Sequence, residues 1–137
     1  MREFLTKVKT NDYFAILAYL PMFAGHQAAL QSMRGRIRDK KCVATCLGFG
    51  PRFLHSTGQL YKGGPNSGVF LVLTCDDAKD ISIPDSAASF GVVKSAQCSG
   101  DVAVLVDRER RVLRINLGSD VAAGLVALAM TIEAALS

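Results

Sequence analysis

Histidine is scarce in this sequence: two among 137 residues. The four cysteines, Cys42, Cys46, Cys75 and Cys98, contain no CxxC pair, and neither histidine stands at metal-ligand spacing from them. That absence speaks against a structural zinc site or a dithiol redox motif. No metal and no cofactor are expected, and the cysteines read as buried free thiols of a reducing cytosol. Charge of one sign is also thin. The net charge is +4 and the charges are scattered, with one dense run at Arg34, Arg36, Arg38, Lys40 and Lys41. Cations of that kind suit the end of a solvated helix. A nucleic-acid surface would need a broader basic stripe with aromatics interleaved, so no nucleic-acid partner is expected. The uncharged run Val121 to Ile132 is 12 residues long, short of the roughly 20 that a bilayer span requires. YFAILAYLPMFA at 13–24 follows a charged start like a leader peptide, yet Glu3 and Asp12 interrupt that leader and no small-x-small cleavage site follows. No membrane partner is expected, and the protein is read as cytoplasmic. With no internal repeat and no low-complexity linker, the chain reads as a single domain over residues 1–137.

What is present is half apolar, enough for a globular core. Asn11 or Asp12 can cap a helix in which Tyr13, Ile16, Leu17 and Leu20 recur at helical spacing until Pro21. A second helix is suggested by His26, Ala29, Leu30, Met33 and Ile37. CVATCLGF then reads as a buried strand ending near Phe49, and VFLVLTC as a second one, apolar throughout as in the middle of a parallel sheet. Asp76 and Asp77 lie at its carboxyl end. ISIP is a short extended piece, and Asp85 or Ser86 caps a helix running to about Cys98. VAVLV and RVLRINL look like two strands joined by the charged turn DRER. Ser119 opens a last helix with the stripe Val121, Leu125, Leu128, Ile132 and Leu136. Strands alternating with helices predict an α/β three-layer sandwich with a mostly parallel sheet, the late strand pair leaving room for an antiparallel edge.

The chemistry concentrates in GFGPRFLHSTGQLYKGGPNSG, residues 48–68, which holds six glycines, Arg52, His55, Gln59 and Lys62 directly after a strand. In an open α/β sheet, ligands bind beyond the carboxyl ends of strands. Gly48 and Gly50 permit sharp turns and close approach of backbone to ligand. Pro51 suits a first helical turn, so 51–61 is expected to form a short helix whose exposed N–H groups attract a phosphate or polar oxygen. Ser56, Thr57 and Gln59 add neutral groups suited to sugar hydroxyls. The stretch carries neither the Walker pattern nor GxGxxG spacing.

GFGPRFLHSTGQLYKGGPNSGVFL resembles the signature of the C-terminal sugar isomerase (SIS) domain of bacterial transaldolase/glucose-6-phosphate isomerase fusion proteins. NDYFAILAYL, CVATCLGFGPRF, FGVVKSAQCSGD and RVLRINLGSDVAAGL are similar to segments of that family in the same order. The resemblance implies aldose–ketose isomerisation of glucose 6-phosphate and fructose 6-phosphate. It implies His55 as the ring-opening histidine and Lys94 as the lysine that balances charge at the ring oxygen. Gly48, Gly50, Arg52, Gln59 and Lys62 would bind substrate. It also implies a half-site: the chain is expected to be a fragment of a longer fusion, completed by upstream SIS and transaldolase domains or by a self-copy. One departure stands out. Related enzymes carry a glutamate soon after the segment that resembles FAILAYL, whereas this chain has no Asp or Glu between Asp12 and Asp39. His26 lies in that vacant region. Alternatively, the domain binds phosphosugars or pairs with a partner without turning anything over.

Overall fold

The computed structural model describes residues 1–137. Its elements are, in order, α1 (Arg2–Thr6), β1 (Tyr13–Tyr19), α2 (Ala24–Lys41), β2 (Ala44–Phe49), a 3-10 turn (Arg52–His55), α3 (Thr57–Gly63), β3 (Gly68–Thr74), α4 (Phe90–Asp107), β4 (Arg111–Asn116) and α5 (Val121–Leu136). The four strands form one sheet in the order β2-β1-β3-β4, and every pairing is parallel. Helices cover both faces, which gives the three-layer α/β sandwich.

Central strands of a parallel sheet are buried on both faces and lose the alternation of polar and apolar residues. β1 and β3 show this, each almost wholly buried from end to end. The edge strands β2 and β4 are only half-buried. On one face α1, α2 and α5 close over Phe14, Ile16, Val69, Leu71 and Leu73, with Leu30, Met33, Ile37, Leu125, Leu128 and Ile132 supplied by the helices. On the other face α3, α4 and the 3-10 turn close over Ala15, Leu17, Tyr19, Phe70 and Val72 through Phe53, Tyr61, Cys98 and Leu105.

Several expectations differ from what is observed. YFAILAYL is the first central strand, not a helix. Its helical-looking spacing is a by-product of a run with no polar positions, where neither period can be read. VAVLV forms the last turns of α4, with Asp101 and Leu105 turned inward. RVLRIN then joins the sheet parallel to β3, so no antiparallel edge pair forms. The cap of α4 is Ser89, whose hydroxyl accepts from Val92 N at 3.2 Å, in place of Asp85 or Ser86. The segment between is tied by an isolated bridge of Ser82 with Ser89. At α5 the cap is Asp120, accepting from Ala123 N at 3.0 Å, one residue past Ser119.

Candidate functional site

The strand order places β1 between β2 and β3, so the chain departs from β1 to one side and returns on the other. Crevices of a doubly wound sheet open beyond the carboxyl ends at such a reversal. Two clefts occupy that rim, on either side of the β1–α2 connection: Met22 lines one, Pro21 and Phe23 the other.

The first cleft, about 330 Å³, lies past the end of β2. Gly48, Arg52, Ser56 and Thr57 line it from the glycine-rich stretch, and Gln27 and Gln31 from α2. Local packing explains this arrangement. Phe53 and Tyr61 are 5% exposed and join an aromatic chain that runs Tyr19, Phe53, Tyr61, Phe70. Their burial pins the 3-10 turn and α3 to the sheet and leaves Arg52, His55, Ser56, Thr57 and Gln59 in solvent. The expected helix over 51–61 is broken at Ser56 into a four-residue turn and a seven-residue helix, so no long helix aims its amino end at the cleft. A β-carbon on Gly48 would come within 3.1 Å of the Phe53 ring. Arg52 is the only charged residue lining this cleft. Its guanidinium approaches the Met22 sulfur at 3.8 Å and has no carboxylate partner.

The other predicted residues do not converge there. Gly50 packs beneath the rim, where an added β-carbon would lie 2.7 Å from the Tyr19 ring. His55 and Gln59 are exposed, make no side-chain hydrogen bond, and do not line this cleft. Lys62 turns under α3 to the buried carboxylate of Asp101, Nζ to Oδ1 at 2.7 Å. That approach lies off the angle of a hydrogen bond and leaves Oδ1 without one. Tyr19 O–H faces the other Asp101 oxygen at 3.5 Å, and burial first, then the Asp101 charge, push the Tyr19 phenol well above its usual range. Lys94 is paired with Asp77 after β3.

The second cleft, about 450 Å³, lies past β1, β3 and β4 and is lined by His26, Cys75, Asp76, Asp77 and Asp120 among others. His26 donates from Nδ1 to Pro21 O at 2.9 Å, which leaves Nε2 as the free ring nitrogen. Burial holds the Cys75 thiol above its ordinary value. Asp76 accepts from Asn116 Nδ2 at 3.0 Å. Gln27, Gln31 and His26 are site-lining residues that the sequence analysis did not assign. Their signal was modest: polar side chains on the first two turns of α2, directly after a central strand.

These features define a doubly wound parallel α/β domain with its clefts at the carboxyl rim. One solved structure, a hypothetical protein from Thermus thermophilus, shares the fold with a TM-score of 0.74 at 14% identity. The match covers 98% of this chain and 37% of that one, so this chain spans little more than a third of that neighbour's length. No family model and no curated protein matches the chain. No helix is long and apolar enough to cross a membrane.

Proposed function

We propose that this domain binds the phosphate of a sugar phosphate and forms the C-terminal half-site of a glucose-6-phosphate isomerase. The supporting observation is the pairing of sequence and position. The stretch that resembles the isomerase signature lies at the carboxyl rim of a doubly wound sheet, and its one unpaired guanidinium, Arg52, faces a cleft with no acid in it. A guanidinium takes a phosphate through two parallel hydrogen bonds. The hydroxyls of Ser56 and Thr57 and the amides of Gln27 and Gln31 match phosphate oxygens and sugar hydroxyls. His55 is next to Ser56 and free of internal bonds. An imidazole there can donate a proton to the ring oxygen and withdraw one from the anomeric hydroxyl. Lys62 and Lys94 enter this reading only indirectly, because each is already neutralised by an aspartate.

A second reading has its own support. Isomerisation needs a base to carry a proton between C1 and C2, and none of the ten residues lining the Arg52 cleft is Asp or Glu. A binding module without turnover fits that lining, and so does a half-site whose base comes from another domain.

The deciding experiment is calorimetry with fructose 6-phosphate on this chain, beside a coupled isomerase assay on it. Binding lost in Arg52→Ala supports the phosphate cleft. Turnover that falls by about 10²–10⁴-fold in His55→Ala supports the isomerase. Binding without turnover leaves the module or a half-site that awaits its base from another domain, and no heat at millimolar ligand removes both readings.

A further inference from the structure

A groove of about 1020 Å³ runs between α2 and α5. Its walls are apolar: Met33, Leu125, Val126, Ala129 and Met130 line it, with Phe23 at one end. Phe23, Val126 and Met130 are 65%, 61% and 69% exposed. An uncovered apolar face of this kind marks a surface meant for a partner.

The charges around the groove identify the partner. At the end formed by the first turns of α2 and α5, the groove runs into the second cleft through the shared residues Phe23, His26 and Ala122. Asp76, Asp77 and Asp120 stand there, with Lys94 offsetting Asp77 alone. At the opposite end the charges are mainly positive. Arg36 lines the groove, and Lys40 follows one turn later on the same stripe of α2. Arg2 reaches over the last turn of α5, donating to Ala134 O at 2.6 Å. Glu133 is the one acid lining the groove, and Arg36 holds it at 2.5 Å; Asp39, beside Lys40, is paired with Arg38. The face is therefore bipolar along its length. Two copies related by a two-fold axis across the groove bring the acidic end of each to the basic end of the other, so both ends match at once. The helix dipoles also oppose, amino end to carboxyl end. With 18 and 16 residues, the two helices present a face on the order of 25 Å by 20 Å, the scale of a modest dimer interface.

We propose that the α2–α5 face is the interface of a homodimer in which two copies pack antiparallel, Lys40 of each copy near Asp76 of the other. This is independent of what the Arg52 cleft binds.

Sedimentation velocity on the whole chain tests it. At about 100 µM, a concentration that populates even a micromolar dimer, the protein sediments at twice its 14.7 kDa mass. Met130→Asp and Val126→Lys, both at exposed positions, each return it to monomer. Lys40→Glu weakens association by about 10-fold or more, and adding Asp76→Lys to it restores the dimer. A monomeric wild type overturns the proposal, including the case where the groove receives a different protein. A dimer that survives both apolar variants, or a charge swap that restores nothing, overturns it as well. Should one apolar variant lose its helical circular dichroism, the other carries the test.

Discussion

Lys62 on α3 and Asp101 on α4 form an ion pair at 2.7 Å that is unequal in its burial: the lysine side chain is 21% exposed and the aspartate 3%. A flexible lysine that loses its partner can move its ammonium toward water. A carboxylate locked inside α4 cannot. Lys62→Met, which strands Asp101, is therefore expected to cost about 3–5 kcal/mol, and Asp101→Leu distinctly less. The double variant Lys62→Met/Asp101→Leu should recover most of the loss. Urea titrations of the four proteins check this; equal costs for the two single changes would contradict it.

Arg111 clamps Asp12 with two hydrogen bonds, at 2.5 and 3.0 Å, and this bonding holds the Asp12 carboxyl below its ordinary range. A carboxyl lowered in the folded state adds stability above its unfolded pKa, and that stability is lost as pH falls through the folded value. Asp12→Asn is expected to cost about 1–2 kcal/mol at pH 7, discounted because Arg111 keeps a fifth of its side chain in water. The gap to wild type should close below about pH 4. Denaturation at pH 7 and at acid pH measures it, and a gap that persists in acid would assign the effect to packing.

Burial holds the thiols of Cys46, Cys75 and Cys98 above their usual range, so each presents less thiolate at neutral pH. Cys42, exposed at the end of α2, should react first with a disulfide reagent, and Cys98, 1% exposed, last. Counting labelled cysteines by mass against time at about pH 7.5 reads the order. Fast labelling of Cys98 in the folded protein would contradict it.

Two glycines make opposite forecasts. A β-carbon at Gly50 would lie 2.7 Å from Tyr19 and 2.9 Å from Phe53, whereas at Gly35, inside α2, it would meet nothing within 4 Å. Gly50→Ala is expected to destabilise by about 1–3 kcal/mol and to weaken phosphosugar binding. Gly35→Ala should stabilise by about 0.4–1 kcal/mol. Thermal melts of the two variants test the pair, and a neutral Gly50→Ala would mean that the Tyr19 ring swings aside.

Much of the fold can be read from the residues. β2, α2 and α5 stand where composition and periodicity put them, because edge strands and surface helices have one dry and one wet side. β3, buried on both faces, was legible from its β-branched run between the turn residues GGPNSG and Asp76. β1 lacks such a run. Buried on both faces, YFAILAY offers no polar residue to mark a period, and only its length argues for a strand. VAVLV misleads because its β-branched residues favour a strand, while its contacts with β4 and the sheet keep it helical. Within the site, Gly48 and Arg52 were legible as residues flanking the end of a strand. The partners of Lys62 and Lys94 were not, since Asp101 and Asp77 come near them only after α4 folds back over the sheet.

The position of β1 also bears on synthesis. Its neighbour β2 ends at Phe49, but its other neighbour, β3, starts only at Gly68. A chain leaving the ribosome thus carries a seven-residue greasy strand with one open flank until the residues of β3 emerge. During that interval it is most vulnerable to capture by chaperones or by other nascent chains.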